Sequence, residues 1–394
     1  MIPITKAIFD ETDLAIIQEP LKSGWVVQGK YVKQFEEMFS AFTKAQHSVA
    51  TTSCTTALHI AMAALDLQPE DEVLVPAFTW ISTANCVEYF KAKPVFVDID
   101  LTTFNIDVTK IEAKITPKTK GIIPVHLFGL VADMTPILEI ALKYNLFVVE
   151  DAACGFDSWY KGKHAGTFGD FGCFSFHPRK AITTGEGGMI TTNDGSKAQF
   201  CRTLRDHGAS RSDFQRHNQK YSFLLAEYHH LGFNFRMTDI QGALGVTQMQ
   251  KAARIMAGRR EGAGYYDQLL KDVSWLQLPF KHPDYVHGYQ SYVCLFQPET
   301  PSLSNWEKLH QQRNEIMAKL EEKGIITRQG THAAAHLDYY KNKYGIKVAN
   351  YPNAFLAEML TITLPLYAGM TAQECQTVVN ELKNLYQTVT QTPN

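Results

Sequence analysis

Short apolar runs alternate with helical segments from about residue 47 to residue 195. The runs are continuous and rich in β-branched residues, as residues 73–75 and 147–149 illustrate. Strands that are buried on both faces of a parallel sheet have this composition. The segments between the runs are long enough to form the crossover helices that parallel strands require. The pattern therefore predicts an α/β fold with a mostly parallel central sheet flanked by helices.

The second half of the chain has a different organisation. A long helical segment is predicted from Asp239 to about residue 270, and strands then mix with helices near 305–323 and 372–388. This mixture predicts a separate, smaller α+β domain. We expect a large domain with an N-terminal arm over residues 1–250 and a small C-terminal domain over residues 251–394. The predicted strands are 47–51, 72–76, 94–98, 121–125, 146–151, 171–177, 188–193 and 291–296.

Charge and cysteine usage narrow the possible partners. The formal net charge is -2, and neither half carries the basic footprint of a nucleic-acid binder. No run approaches the roughly 18 apolar residues of a membrane span, and the first residues lack the apolar core of a signal peptide. The seven cysteines are scattered and never form a C-x-x-C pair. We therefore expect a cytoplasmic protein with no nucleic-acid and no membrane partner.

A lysine follows the predicted strand 171–177. Pro178 ends the strand pairing, and Lys180 stands between this proline and the glycine-rich turn 185–188. A lysine at an apolar strand end can be desolvated and lose its proton, and a neutral amine forms a Schiff base with an aldehyde. The glycines allow close approach of the backbone to a ligand. For an isolated lysine, however, an exposed position on a β-hairpin is the commoner explanation.

Two further elements stand at other strand ends. Asp151 ends the apolar run 146–150, at the edge where ligands bind in open α/β sheets. Its carboxylate could hold the pyridine nitrogen of pyridoxal phosphate (PLP) protonated, or it could be a helix N-cap. Residues 53–56, Ser-Cys-Thr-Thr, offer hydroxyl and free N–H groups at a helix start. Such a start suits a phosphate, although ordinary helix N-caps look the same.

Trp80 completes a set of four elements. It follows the predicted strand 72–76, where an aromatic ring could stack on a cofactor ring, and a buried core position is the alternative. Each element alone has an ordinary structural explanation. Together they offer an amine for an aldehyde, a carboxylate for a ring nitrogen, a cradle for a phosphate and an aromatic face. Their joint occurrence predicts PLP as the cofactor.

The same segments carry a resemblance to a known family. The chain resembles the DegT/StrS family of PLP-dependent sugar aminotransferases, which has the fold of the aspartate-aminotransferase superfamily, fold type I. The most specific part is Ser-Phe-His-x-x-Lys followed by Gly-Glu-Gly-Gly within residues 175–188. The resemblance extends over nearly the whole chain, through residues 23–30, 76–80, 150–153, 175–188, 232–241 and 364–367.

The resemblance implies catalytic roles at three positions. Lys180 matches the lysine that binds the cofactor aldehyde and moves the proton during the reaction. Asp151 matches the carboxylate that pairs with the pyridine nitrogen. His177 matches a residue beside the cofactor and the lysine. These three residues are therefore the expected catalytic set.

The resemblance also implies contacts that hold the cofactor. Trp80 matches the aromatic residue that stacks on the ring. Cys54 and Thr55 match the phosphate cradle, and Ser175 matches its side-chain contact. Asn234 matches a phosphate contact that reaches in from a second subunit. The family pattern therefore implies a homodimer with shared active sites.

Two positions depart from the family pattern. Many members carry Gln near the phenolic oxygen of the cofactor where this chain has Cys154, so that contact stays unassigned. The substrate loop, residues 330–336, lacks the proline that often precedes a histidine, which leaves the sugar specificity open. His332 and His336 are expected near the substrate. Their spacing could bind a metal on a helix, but no third ligand is apparent, so we expect no metal site.

The resemblance implies a transamination. L-Glutamate is the expected amino donor, and a nucleotide-linked keto-sugar is the expected acceptor, with a 4-keto-6-deoxyhexose as the first choice. Amination at ring position 3 stays open. Relatives that dehydrate sugars replace the lysine with His, so Lys180 favours transamination. A keto-cyclitol aminotransferase of an aminoglycoside-type pathway and a non-catalytic regulator with the same fold remain as alternatives.

Overall fold

Helices and strands alternate along the first half of the chain in the computed structural model, which describes residues 1–218 and 223–391. The α-helices are α1 Glu11–Ser23, α2 Lys30–Thr43, α3 Cys54–Ala64, α4 Ser82–Glu88, α5 Met134–Tyr144, α6 Gly195–Arg205, α7 Asp213–His217, α8 Asp239–Leu270, α9 Trp306–Glu322, α10 Asp338–Tyr344, α11 Pro352–Leu360 and α12 Ala372–Gln391. The strands are β1 His47–Thr51, β2 Glu72–Pro76, β3 Lys93–Val97, β4 Thr119–Ile122, β5 Phe147–Asp151, β6 Trp159–Tyr160, β7 Lys163–His164, β8 Phe171–Ser175, β9 Gly188–Thr192, β10 Leu276–Gln277, β11 Tyr285–Val286, β12 Tyr292–Phe296 and β13 Thr361–Leu364.

Seven strands form the central sheet, in the order β1-β9-β8-β5-β4-β2-β3. β2 runs parallel to β3 and β4, β4 runs parallel to β5, and β5 runs parallel to β8. β9 pairs antiparallel with both β8 and β1. The predicted α/β fold with a mostly parallel central sheet is therefore confirmed. Because β1, β2, β5 and β8 point the same way, their carboxyl ends meet at one edge of the sheet.

Two predicted strands begin and end earlier than the sequence pattern indicates. The strand predicted over residues 94–98 is β3, Lys93–Val97, and the strand predicted over residues 121–125 is β4, which ends at Ile122. Pro124 has no N–H group and cannot continue a ladder as donor. The chain still stays beside β5, because the N–H of Asp151 donates to the carbonyl of Pro124 over 2.9 Å. This contact holds the carboxyl end of β5 in place.

A smaller antiparallel sheet, in the order β10-β12-β13, lies in the C-terminal part of the chain. Helices α9, α11 and α12 accompany it, and α8 contacts α1, α2 and α12. The predicted boundary at residue 250 falls inside α8, so the division into 1–250 and 251–394 stays a prediction. Within the described residues, no helix combines the length and apolar character needed to cross a bilayer.

A buried histidine in β7 makes the fold sensitive to acid. The ring of His164 is 1% exposed and lies against Trp159 and Phe174. Its Nε2 accepts from the N–H of Asp157 over 3.2 Å, so Nδ1 carries the proton and donates to the carbonyl of Ala165 over 2.6 Å. Burial lowers the pKa of His164 to about 4.

This histidine predicts a loss of stability as the pH falls. The unfolded chain takes up a proton near pH 6.5, whereas the folded chain resists protonation down to a pH of about 4. We expect His164 to cost about 2 kcal/mol of unfolding free energy between pH 7 and pH 5. Urea unfolding at both pH values measures this loss. His164→Asn should be less stable at pH 7 and should lose less between the two pH values; an unchanged loss contradicts the assignment.

Candidate active site

A cavity of about 630 Å³ opens at the shared carboxyl edge of the sheet. Its walls come from the start of α3, the segment that follows β2, the ends of β5 and β8, and the loop of residues 328–332. The predicted site residues that line it are Cys54, Thr55, Trp80, Asp151, Ser175, His177, Lys180 and His332. The structure thus brings together residues that are scattered over most of the chain.

The start of α3 forms one end of the cavity. Ser53 is the N-cap of this helix, and its hydroxyl accepts from the N–H of Thr56 over 3.1 Å. The N–H groups of Cys54 and Thr55, in the first turn, have no acceptor within the helix. The hydroxyl of Thr55 contacts that of Ser82 over 2.9 Å. Free N–H groups and the positive end of the helix dipole make this turn suited to a phosphate.

A glycine allows β9 to pack directly against this turn. A Cβ atom on Gly188 would lie 2.3 Å from the carbonyl carbon and oxygen of Ser53. Real Cβ atoms do not approach backbone so closely, so a side chain here would displace the start of α3. Gly188 is paired with Ser175, the last residue of β8. The glycine-rich segment therefore positions the two parts of the chain that flank the cavity.

Asp151 ends β5 and is 4% exposed. One carboxylate oxygen, Oδ2, accepts from the hydroxyl of Thr83 over 2.7 Å. The other, Oδ1, accepts from the N–H of Ala153 over 3.1 Å. A buried carboxylate with these two donors retains further lone pairs for a protonated ring nitrogen. The alternative role as a helix N-cap is not observed, because residues 152–158, directly after Asp151, do not form an α-helix.

Lys180 lies in the turn after β8, where its N–H donates to the carbonyl of His177 over 2.8 Å. The side chain is half-buried, and its Nζ donates to the Sγ of Cys154 over 3.2 Å. Both residues line the cavity. The thiol that departs from the family pattern is therefore the described hydrogen-bond partner of the lysine amine.

This position predicts that Cys154 is the most reactive thiol. It is half-buried, whereas Cys54, Cys86, Cys173, Cys201, Cys294 and Cys375 are buried. Burial raises the pKa of each of these six thiols, which lowers their thiolate fraction. We expect iodoacetamide to alkylate Cys154 at least about tenfold faster than any other cysteine of the native protein. Mass mapping of timed digests measures this preference, and Cys154→Ser is the control. Faster alkylation at another cysteine contradicts the prediction.

His177 lies beside Lys180 at the mouth of the cavity. Its Nε2 is 3.9 Å from the Oε1 of Glu186. Partial burial lowers the pKa of His177, and the nearby carboxylate of Glu186 opposes this shift. The imidazole is therefore mostly neutral at pH 7, and it can accept a proton or a hydrogen bond.

Trp80 and His332 lie next to each other in the wall of the cavity. The indole of Trp80 is 54% exposed, so the alternative of a buried core residue is wrong. Its ring centre lies 5.8 Å from that of His332. The Nδ1 of His332 is 3.3 Å from the Oε1 of Glu358. The pair thus combines an apolar face with a polar group that can contact a hydroxyl-rich substrate.

Two predicted site residues lie outside the cavity. Asn234 is exposed and forms an isolated β-bridge with Asp206. His336 ends the 3-10 turn Ala334–His336, and its ring faces Tyr351 and Phe355 instead of the cavity. His332 and His336 do not share an α-helix, so their spacing does not create a metal-binding face. Among residues 1–218 and 223–391, no group of His, Cys, Asp or Glu side chains could hold a metal ion.

Sequence reasoning gave no role to two hydroxyl residues at this site. Ser82 contacts Thr55, and Thr83 binds Asp151. No local pattern signals the contact of Thr83, because its partner is 68 residues away in the sequence.

The residues around the cavity fit PLP. The start of α3 suits the phosphate, the buried carboxylate of Asp151 suits the ring nitrogen, and the half-exposed indole of Trp80 suits the ring face. The amine of Lys180 suits the aldehyde. The central sheet and this donor set define a PLP-dependent transferase of the α/β class.

Comparisons with known proteins identify the family. The model of the DegT/DnrJ/EryC1/StrS aminotransferase family matches residues 7–383, and the chain belongs to this family. The spore coat polysaccharide biosynthesis protein SpsC of Bacillus subtilis is 35% identical over 98% of this chain and 97% of its own length. GDP-perosamine synthase of Caulobacter vibrioides is 44% identical over 66% of this chain and 68% of its own length.

A solved structure supports the same conclusion. Spr1654 of Streptococcus pneumoniae, assigned as a sugar aminotransferase, is similar in its PMP form with a TM-score of 0.90 and 27% identity, covering 99% of this chain and 100% of that one. It has also been solved in a PLP form. The chain is therefore a sugar aminotransferase, and its cofactor is PLP.

Proposed function

We propose that the chain transfers the amino group of L-glutamate to a nucleotide-linked keto-sugar, with a 4-keto-6-deoxyhexose as the acceptor. The observation that carries this proposal is the convergence of Lys180, Asp151, Trp80 and Ser175 on one cavity. The named product of one relative, GDP-perosamine synthase, supports a nucleotide-linked amino sugar. The cavity has a volume of about 630 Å³, and residues 328–332 form part of its wall.

The chain's own residues supply binding and proton transfer. When bound, PLP supplies an aldehyde and an electron-accepting ring that can carry an amino group. The N–H groups at the start of α3 and the hydroxyl of Ser175 would hold the phosphate. Asp151 would keep a proton on the ring nitrogen, and Trp80 would cover the ring face. The Nζ of Lys180 would take the proton from the α-carbon of the donor and pass it to the bound cofactor, and it would move a proton in the opposite direction in the acceptor half-reaction.

The acceptor half-reaction uses the same residues in the opposite direction. 2-Oxoglutarate leaves after the donor half-reaction, and the keto-sugar then enters the side of the cavity formed by Trp80 and His332. The imidazole of His332, held by Glu358, contacts a sugar hydroxyl in this proposal. His336 lies outside the cavity and is not given a role in binding the substrate.

A panel of acceptors tests the proposal. L-Glutamate should remove the visible absorbance band of the PLP-loaded protein, and the correct keto-sugar nucleotide should restore it. GDP-, UDP- and dTDP-linked 4-keto-6-deoxyhexoses, 3-keto analogues and a keto-cyclitol form the panel, and mass detection identifies the aminated product. His332→Ala should raise the KM for the sugar, and the matched control His336→Ala should not. Amination of the cyclitol alone overturns the proposed acceptor, and a protein that does not bind PLP supports a regulator.

We further propose that two subunits share each active site. Asn234 is exposed and outside its own cavity, as expected of a residue that contacts the phosphate in a partner subunit. Large apolar side chains nearby in sequence are also exposed, including Leu225 at 81% and Leu231 at 90%. An exposed apolar segment of this kind suits a subunit interface.

Mixed dimers test this arrangement. Lys180→Ala and Asn234→Ala each remove one component of the proposed shared site. A mixed dimer contains one site with both changes and one site with neither. Mixing the two inactive or weakened variants should therefore restore activity, while light scattering should give the mass of a dimer. No recovery after subunit exchange, or a monomer that is fully active, contradicts a shared site.

A further inference from the structure

We infer that Thr83 is a positioning residue for Asp151, and that Thr79, Thr83 and Asp151 form a hydroxyl relay that reaches the substrate loop. The inference rests on the proposed role of Asp151 toward the ring nitrogen of PLP. The three residues are defined here as the threonine relay. Thr83 does not line the cavity, so it acts through the carboxylate and not by touching the substrate.

The relay is buried along its whole length. Thr79 is 1% exposed, Thr83 is 0% exposed and Asp151 is 4% exposed. The hydroxyl of Thr83 is 2.7 Å from the Oδ2 of Asp151 and 3.0 Å from the hydroxyl of Thr79. Hydrogen bonds to a charged group are stronger when water is excluded. Because the three residues are buried, water does not compete for these two contacts.

The direction of the relay follows from counting protons. A threonine hydroxyl has one proton, and the hydroxyl of Thr83 has three acceptors within reach. They are the carboxylate of Asp151 at 2.7 Å, the hydroxyl of Thr79 at 3.0 Å and the carbonyl of Trp80 at 3.1 Å. The carboxylate is both the closest and the charged acceptor, so Thr83 donates to Asp151. Thr79 then donates to the oxygen of Thr83.

The surroundings of Asp151 make this donor important. Three thiols, those of Cys54, Cys86 and Cys173, are buried near the carboxylate. Burial raises the pKa of all three, and the charge of Asp151 raises each further, so these thiols stay neutral. The charge of Lys180 acts on the nearby thiol of Cys54, and Lys180 is itself needed for the proposed chemistry. The donors that hold the carboxylate are Thr83 and the backbone N–H of Ala153.

The relay also connects the carboxylate to the substrate side of the cavity. The backbone N–H of Thr79 donates to the carbonyl of His332 over 3.0 Å. Thr79 therefore makes two contacts. Its backbone N–H binds the substrate loop, and its hydroxyl binds the hydroxyl of Thr83. Removal of the Thr79 hydroxyl should affect Asp151 only through Thr83. The resulting shift in the titration of the ring nitrogen should have the same sign as the shift caused by removal of the Thr83 hydroxyl, and it should be smaller.

The ring nitrogen of the bound cofactor reports on the relay directly. The protein is loaded with PLP carrying ¹⁵N in the ring, and its NMR resonance is followed against pH. Thr83→Val keeps the shape of the side chain and removes the donor, while Thr83→Ser keeps the donor. Because the carboxylate of Asp151 would no longer be held toward the ring nitrogen, Thr83→Val should lower the pH at which the ring nitrogen loses its proton by about one unit or more. Thr83→Ser should match the wild type, and Thr79→Val should give a smaller decrease.

The outcomes separate the inference from the proposed function. If the wild-type ring nitrogen is unprotonated, or if PLP does not bind, the proposed role of Asp151 fails and the relay fails with it. If the wild type is protonated and Thr83→Val leaves the midpoint unchanged, only the relay is overturned. An equal decrease in Thr83→Ser also overturns it. If Thr83→Val does not fold, the midpoint of Thr79→Val decides, because an unchanged value contradicts the relay.

Discussion

Lys180→Ala should abolish the visible absorbance band of the PLP-loaded protein and lower turnover with L-glutamate by roughly 10²–10⁴-fold. The substitution removes the amine that the structure directs at the cavity beside Cys154. It removes both the group that binds the aldehyde and the group that moves the proton. Absorbance spectra and single-turnover rates with L-glutamate measure the two losses separately.

An exposed lysine provides the control for this change. Lys308 lies on α9, pairs with Glu299 and does not line the cavity. Lys308→Ala should therefore keep the absorbance band and the turnover of the wild type. Lys180→Arg should behave like Lys180→Ala, because a guanidinium keeps the charge but does not form the same bond with an aldehyde. Wild-type turnover in Lys180→Ala would falsify the assigned role.

Asp151→Asn should lower the rate of the donor half-reaction by about 10²–10³-fold, the range for loss of one fixed electrostatic contact. The amide has nearly the shape of the carboxylate and can still accept from the hydroxyl of Thr83. It carries no charge, so it no longer keeps a proton on the ring nitrogen. The stopped-flow change of absorbance after mixing with L-glutamate gives the rate.

The amount of PLP bound to Asp151→Asn distinguishes a slower reaction from weaker cofactor binding. Lys180 is intact in Asp151→Asn, so the protein should still take up PLP when the cofactor is in excess. The exposed Asp272 lies outside the cavity, and Asp272→Asn is the matched control. If Asp151→Asn binds PLP fully and reacts with L-glutamate at the wild-type rate, Asp151 is not the partner of the ring nitrogen.

The central sheet was predictable because its strands have a strong physical signature. Residues 147–149 are apolar, and Val148 and Val149 are buried although they point to opposite faces of the sheet, as burial between two helical layers requires. Helix α8 has the predicted bounds, Asp239–Leu270. The two-residue strands β6, β7, β10 and β11 escaped prediction, because so short a run has no measurable periodicity.

The site was predictable where a residue's role follows from its place in one strand or turn. Lys180, Asp151 and Ser175 each follow an apolar run, and all three line the cavity. Contacts between distant segments were not predictable. The bond from Thr83 to Asp151 and the turn that directs His336 away from the cavity depend on the folded chain. A single sequence does not encode such distances in any local pattern.

The identity of the lysine that holds the cofactor is the central claim. The protein is loaded with PLP, reduced with borohydride, digested and mapped by mass spectrometry. The structure predicts one pyridoxyl-labelled peptide, with the label on Lys180, and L-glutamate added before the reduction should remove most of it. A label on another lysine, or a Lys180 peptide that remains unlabelled in a protein that binds PLP, contradicts the account.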